Sequence, residues 1–152
     1  MTSTDPLPDV FATLSFAGDD LDPNEISRVL PVPPRRSHRK GERYYSGRRA
    51  GYLTGRTGIW SLATDTLTDS RKLADHVAAL TRILSPTPGD NRRLMELRDI
   101  RVRTGARAKI SVYWCGYAGD APPEIPAELA LLAQELGATI EPDYHTEDQA
   151  IA

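Results

Sequence analysis

Hydrophobic and polar residues alternate in several short segments of the chain. Residues 10–16 read VFATLSF and residues 108–114 read AKISVYW, with a hydrophobic side chain at every second position. A period of two is typical of a β-strand that buries one face. Residues 58–64 and 138–144 predict two further strands. Pro142 lies in the last of these and cannot donate a hydrogen bond to a neighbouring strand, which indicates an edge of the sheet.

Hydrophobic residues that recur every three or four positions predict helices. The predicted helices span residues 23–30, 71–84, 91–99 and 126–136. Asp22 is expected to cap the first helix, with Glu25 completing a capping box. Asp69 or Ser70 is expected to cap the second helix, and Gly137 is expected to end the last one as a C′ glycine.

A long segment rich in Pro, Arg and Gly connects the first helix with the strand at 58–64. No hydrophobic period runs through it, so it is predicted to be largely irregular. Residues 50–55 are the exception, because they are predicted to pair with the strand at 58–64 through a turn at 55–58.

The resulting order of elements is β-α-loop-β-α-α-β-α-β. Polar residues recur on one face of most strands, which predicts an α+β, two-layer fold whose antiparallel or mixed sheet carries helices on one face only. Residues 16–30 and 116–132 both run from a strand through Gly-Asp and Pro into a helix. Two such units suit a ferredoxin-like split βαβ arrangement with extra helices inserted between the halves. We expect one domain over residues 10–145, with frayed ends at 1–9 and 146–152.

The composition is that of a soluble globular protein, with 39% hydrophobic and 26% charged residues in 152. No apolar run approaches the ~18 residues that cross a bilayer. The first ten residues, MTSTDPLPDV, lack the basic and apolar regions of a signal peptide. Cys115 is the single cysteine, so no intramolecular disulfide forms, which fits a reducing cytoplasm. We therefore expect a cytoplasmic protein that does not bind membranes.

One strongly basic segment interrupts this acidic chain. Residues 35–56, RRSHRKGERYYSGRRAGYLTGR, hold eight Arg and Lys residues against Glu42, a charge of about +7 in a protein whose net charge is −2. Guanidinium groups are almost never buried without a partner. The segment is therefore either a solvated loop that pairs with the acidic body of the protein or a binding surface for an anionic partner.

The remaining candidates for chemistry are weaker. Asp19, Asp20 and Asp22 are expected to form a strand-to-helix turn, because the spacing of a calcium loop is absent. Four glycines in or next to the basic segment match neither nucleotide-binding glycine motif, namely Gly47, Gly51, Gly55 and Gly58.

The nucleophilic and metal-binding residue types are scattered along the chain. Cys115 is expected to be an inert, buried or half-buried thiol, because no base lies near it in sequence. His38, His76 and His145 fall in different elements, and His76 is expected on a helix surface. We therefore expect no catalytic residue, no metal and no cofactor.

Several segments together resemble a known family. They are GDDLDPNEIS, RVLPVPPRRSHRKGE, TGIWSL, LADHVAALTRIL, SVYWCG and PAELALLAQELGATIEPDYH. In this order they are similar to a bacterial domain of unknown function, number 4279, over about residues 10–145. Ile125 departs from the pattern, in which a Ser tends to precede the Pro that opens the helix. The resemblance implies an intracellular bacterial domain without an established activity, and immunity or partner binding is a role by analogy only.

We interpret the chain as a binding or interaction module and not as an enzyme. The expected partner is an acidic protein, with nucleic-acid or nucleotide binding as the alternative, and an enzyme acting on an anionic small molecule as the least supported one. The sequence does not predict the oligomeric state. The predicted binding residues are Arg35, Arg36, Arg39, Lys40, Arg43, Tyr44, Arg48, Arg49, Tyr52, Arg56 and Trp60.

Overall fold

The computed structural model describes residues 9–45, 47 and 51–147. The helices of this part are α1 (Pro23–Val29), α2 (Leu73–Leu84), α3 (Arg92–Thr104) and α4 (Ala127–Leu136), with a short 3-10 helix at Thr64–Thr66. The strands are β1 (Asp9–Gly18), β2 (Arg36–His38), β3 (Arg43–Tyr45), β4 (Tyr52–Thr54), β5 (Gly58–Ala63), β6 (Arg107–Tyr117) and β7 (Thr139–Glu147).

Five strands form one mixed sheet in the order β2-β5-β1-β6-β7. The central strand β1 pairs antiparallel with β5 and β6, whereas β6 pairs parallel with β7. The α+β, two-layer prediction is confirmed, and Pro142 lies in β7 at the edge of the sheet, as predicted. A split βαβ unit is found in β1-α1-β2, because β5 lies between β1 and β2 and pairs antiparallel with both, so that these two strands run parallel. The second predicted unit, β6-α4-β7, is not split, because β6 and β7 are direct neighbours.

One face of the sheet and the inner faces of all four helices share a single hydrophobic core. Leu14 of β1 is fully buried, and it lies in register with Leu62 on one side and Ile110 on the other. The alternate residues of β1 and β6 are only partly covered, which is the pattern that the period of two predicts.

The helix boundaries agree with the prediction in part. The Asp22 side chain accepts a hydrogen bond from the Asn24 N–H and caps α1, but Glu25 binds Arg103 instead of completing the capping box. Helix α2 begins at Leu73, so its N-cap residue is Lys72 and neither Asp69 nor Ser70. The Lys72 side chain makes no capping hydrogen bond. Gly137 ends α4 in the left-handed conformation, as predicted for a C′ glycine.

Two predictions about boundaries are corrected. Residues 50–55 were predicted to pair with β5, but β4 pairs with β3 and forms a separate two-stranded sheet. Helix α3 continues to Thr104, beyond the predicted end at residue 99, because Ile100 also packs in the core.

The predictions for the two ends of the chain are tested only in part. Asp9, Thr146 and Glu147 belong to strands, whereas residues 1–8 and 148–152 lie outside the described residues. Within residues 9–45, 47 and 51–147, each helix is too short or too polar to span a bilayer.

Candidate functional site

The basic segment forms the edge strand β2 and the β3–β4 hairpin. His38 of β2 pairs with Ile59 of β5, and the next residue of β5, Trp60, is buried in the core. Because side chains alternate along a strand, His38 lies on the face of the sheet away from the helices. The hairpin packs over this face at the β2 end of the sheet.

Backbone hydrogen bonds attach the hairpin at its base. The Gly41 N–H donates to the Gly55 carbonyl at 2.8 Å, and the Gly55 N–H donates to the Glu42 carbonyl at 2.8 Å. The Glu42 carboxylate also accepts from the Arg39 N–H at 2.9 Å. Gly41 takes a φ of 84°, a conformation that glycine adopts without a steric penalty. The direction of the hairpin relative to the sheet is therefore set by these few residues.

A pair of stacked rings fills the space between the hairpin and the sheet. The imidazole of His38 and the ring of Tyr44 are 4.2 Å apart between centroids. Gly55 lies against this pair, and a Cβ atom placed on it would come within 2.5 Å of the His38 Cδ2 atom and 2.6 Å of the Arg39 carbonyl oxygen. A glycine is therefore required at position 55 for the rings to pack as they do.

The environment of His38 disfavours its charged form. Burial lowers the pKa of the imidazole, the nearby Arg36 lowers it further, and Glu42 opposes them by raising it. Protonation of His38 would place a second cation beside Arg36 in a covered position.

Three cations of the segment are paired with acids of the protein itself. Arg39 binds Asp22 at 2.8 Å, and Lys40 binds Asp19 at 3.2 Å. The hydrogen bonds from Lys40 and Thr57 lower the pKa of the Asp19 carboxyl. The acidic turn between β1 and α1 therefore faces the basic segment and partly neutralises it. Arg35, at the start of the segment, lies 3.7 Å from Asp65.

Three other arginines differ from these. Within the described part of the chain, Arg36, Arg43 and Arg56 make no ion pair with a carboxylate. Arg43 instead lies over the ring of Tyr52, with its guanidinium carbon 5.0 Å from the ring centroid. Within the described part of the basic segment, these three side chains therefore carry the positive charge that no carboxylate neutralises.

Arg36 and Arg56 line the same pocket, which has a volume of about 410 Å³. Its described walls come from β2, β3, β4, β5 and the 56–57 turn, and they contain no carboxylate. The lining residues are Arg36, His38, Tyr44, Leu53, Thr54, Arg56, Thr57 and Ile59. We refer to this cavity as the hairpin pocket. It joins two arginines, one predicted tyrosine and several apolar walls in one concave site.

Large hydrophobic side chains are exposed on the hairpin next to the pocket. Tyr45 and Tyr52 retain 59% and 65% of their accessible surface, and Leu53 retains 39%. The rings of Tyr45 and Tyr52 meet edge to face at 5.5 Å. We refer to Arg43, Tyr45, Tyr52 and Leu53 as the hairpin tip.

The other predicted binding residues have different positions. Trp60 has no exposed surface, and its indole N–H donates to the Ser27 hydroxyl at 3.1 Å. Its inclusion among residues that contact a partner is therefore wrong, because it is part of the core. Arg48 and Arg49 lie outside the described residues.

Several residues of the hairpin pocket were not predicted from the sequence. His38 carried no signal because it lies in a three-residue strand, which is too short to show a period. Leu53 and Thr54 were assigned to a different strand pairing, which placed them away from β3.

His76 is buried, not on a helix surface as predicted, with 1% exposure. Its Nδ1 atom lies 2.7 Å from the Thr64 hydroxyl, and its Nε2 atom lies 2.6 Å from the Ser70 carbonyl oxygen. A carbonyl only accepts, so Nε2 carries the proton and Thr64 donates to Nδ1. The same hydroxyl accepts from the Ala12 N–H at 2.9 Å. This network links α2 to β1 and gives His76 a structural role.

Cys115 is half-buried in β6 and is not part of a disulfide. Its register neighbour in β7 is His145, whose Nε2 atom contacts Asp143 at 2.7 Å. Among the residues that the structure describes, no group of three or more His, Cys, Asp or Glu side chains is arranged to hold a metal ion.

A family model described as Domain of unknown function (DUF4279) matches residues 8–147, nearly the whole chain. No curated protein and no solved structure is detectably similar to it.

Proposed function

The chain belongs to the family described as Domain of unknown function (DUF4279), a description that names no activity, and on that premise we propose that it is a binding module for an acidic partner protein. The surface that we propose for binding is the hairpin tip together with the rim of the hairpin pocket. The observation that supports it best is the exposure of Tyr45, Tyr52 and Leu53 beside arginines without a carboxylate partner in the described chain.

The residue types at the tip are those that dominate protein interfaces. Tyr and Arg are enriched among residues whose truncation costs an interface ~2 kcal/mol or more. Tyr52 offers a large, stiff ring, and Arg43 above it offers a cation that is already oriented by the ring. Such a pair loses little conformational entropy on binding.

The charge distribution favours a protein partner over a nucleic acid. Arg39 and Lys40 are occupied by Asp22 and Asp19, so carboxylates lie along the basic segment. A nucleic acid gains affinity with each phosphate that a cation neutralises, and Arg39 and Lys40 are already engaged by acids of the chain itself. A protein partner with a small acidic patch avoids them.

We propose binding and not catalysis because the hairpin pocket lacks an acid–base pair. His38 has a lowered pKa and Tyr44 stacks on it, but among the described residues no carboxylate and no cysteine lines the cavity. The hydroxyls of Thr54 and Thr57 line it without a carboxylate–imidazole pair that could activate them. A site for acyl or phosphoryl transfer needs such groups within hydrogen-bond reach of each other.

Site-specific crosslinking tests the proposal. A photoreactive amino acid at position 45 should crosslink to one acidic protein in cells that express the chain. The same amino acid at position 131 is the matched control, because Leu131 is equally exposed on α4. The crosslinked protein is then purified, and its affinity is measured for the wild type, Tyr52→Ala and Leu131→Ala.

We expect Tyr52→Ala to weaken binding about tenfold or more, and Leu131→Ala to leave it unchanged. Crosslinking to nucleic acid at position 45, with affinity that falls linearly in log salt, would instead support the alternative function. Equal affinity of all three proteins would refute the role of the hairpin tip.

A further inference from the structure

The hairpin pocket differs from the rest of the basic segment because it forms a cavity whose described walls contain no carboxylate. Arg36 belongs to β2 and Arg56 to the turn before β5, and both line the cavity. Leu53 and Ile59 contribute apolar walls to the same cavity. An anion there meets two guanidinium groups in surroundings that contain less water than the open surface, which strengthens each charge-assisted hydrogen bond.

The nearby acids do not cancel this charge. Asp19 is bonded to the pocket residue Thr57, but it is paired with Lys40. Glu42 bonds to the Arg39 N–H at the base of the hairpin and does not line the pocket. His38 provides an imidazole that gains a proton more easily once an anion is present.

We propose that the hairpin pocket is a subsite for one carboxylate side chain, a Glu or Asp of the acidic partner, held between Arg36 and Arg56. This inference rests on the proposed function and names the chemistry by which the partner is recognised. The planar guanidinium matches a carboxylate with two parallel hydrogen bonds. Arg36 and Arg56 share one cavity of about 410 Å³, whereas outside it Arg39 and Lys40 are already paired with Asp22 and Asp19.

A blocked peptide provides the probe. Titration of the protein with N-acetyl-tetraglutamate amide at constant ionic strength is followed by the NMR signals of the His38 and Tyr44 rings. Tetraglutamine amide is the uncharged control, and a phosphoserine tetrapeptide and decathymidylate test the other oxyanions. We expect saturable shifts with tetraglutamate and none with tetraglutamine.

The protein variants separate the pocket from general charge. Arg36→Gln and Arg56→Gln should each weaken tetraglutamate binding at least tenfold, whereas Arg98→Gln, on the exposed side of α3, should not change it. Arg36→Lys keeps the charge but loses the paired hydrogen bonds, so it should also weaken tetraglutamate binding. This variant replaces Arg36→Gln in the test if Arg36→Gln fails to fold.

The outcomes distinguish this inference from the proposed function. Tyr52→Ala should lose the partner protein but keep tetraglutamate, because Tyr52 does not line the pocket. If the rings show no shifts, or if Arg98→Gln weakens tetraglutamate binding equally, the carboxylate subsite is refuted. The hairpin tip is tested separately, by the affinity of Tyr52→Ala for the partner protein. Tighter binding of the phosphoserine peptide or of decathymidylate also overturns the carboxylate subsite, in favour of a phosphate site.

Discussion

The imidazole of His38 and the phenol ring of Tyr44 lie parallel, with 2° between their planes and 4.2 Å between their centroids. One ring belongs to the edge strand of the main sheet and the other to the hairpin. This contact is where the fold holds the hairpin against the sheet. Its integrity is therefore a direct measure of whether the hairpin pocket exists in solution.

Gly55→Ala should separate these rings. The new methyl group would lie 2.5 Å from the His38 Cδ2 atom and 2.6 Å from the Arg39 carbonyl oxygen, closer than real contacts allow. We expect a loss of about 1–3 kcal/mol in the free energy of unfolding, as for overpacked sites. Urea denaturation measures it, and NMR ring-current shifts of Tyr44 report the local change. Ser37→Ala, at an exposed site on the same strand, should cost ~0.5 kcal/mol or less.

The protonation of His38 should depend on Arg36. Burial is the larger cause of its lowered pKa, and the charge of Arg36 is the second. Arg36→Gln should therefore raise the pKa only part of the way towards 6.5, the usual value. An NMR titration of the His38 ring protons measures this shift. A value that stays unchanged in Arg36→Gln, or that moves equally in Arg98→Gln, would contradict the prediction.

The lowered pKa of His38 makes the free energy of unfolding depend on pH. The folded-state pKa of His38 lies below its unfolded value, so the unfolded chain takes up the proton first as the pH falls. The stabilisation is complete above about pH 6.5 and is lost as the pH falls through the folded-state pKa. Urea midpoints between pH 7.5 and pH 4.5 should show a steeper decline for the wild type than for His38→Gln.

Thr64 joins three elements through one hydroxyl, so its loss should be costly. Thr64→Val removes the acceptor of the Ala12 N–H and the donor to His76 while it keeps the shape of the side chain. We expect about 1–3 kcal/mol of destabilisation, because buried polar groups lose their partners. Thr66→Val, at an exposed position two residues further, should cost less. Thermal or urea unfolding of both variants decides the comparison.

Asp22 has two roles that two substitutions separate. Its Oδ1 atom caps α1 and its Oδ2 atom binds Arg39. Asp22→Asn keeps the cap and loses the charge, so it should change stability by ~0.5 kcal/mol or less. Asp22→Ala loses the cap as well and should cost about 1 kcal/mol. If both variants lost the same stability, the ion pair and not the cap would be the important contact.

The sequence predicted the long elements because their burial has a period. Every second residue of β1 and β6 packs against the helices, and that alternation is visible in the residues themselves. The same reasoning applies to His76, whose burial was not predicted. Leu73, His76, Val77 and Leu80 follow the spacing of one helix face. The spacing therefore indicates a buried His76, whereas its polar side chain taken alone predicts an exposed one.

For the candidate site, the sequence predicted the excess of positive charge but not the arrangement of the residues. The sequence identified Arg36, Tyr44 and Arg56, but the strands that bring them together are three residues long and carry no period. The pairing of Arg39 with Asp22 joins residues 17 positions apart and depends on the tertiary fold. Which arginines are neutralised is therefore a property of three-dimensional structure.

The manner in which the hairpin is attached has a consequence for how such proteins diverge. Its described residues lie outside the hydrophobic core, and its base is held by Gly41 and Gly55. Substitutions at Tyr45, Tyr52 or Leu53 thus change the outer surface with little effect on folding stability. If the hairpin tip binds a partner, as we propose, an exchange of a few tip residues changes that partner while the sheet and helices stay the same, much as antibody loops vary on a constant framework.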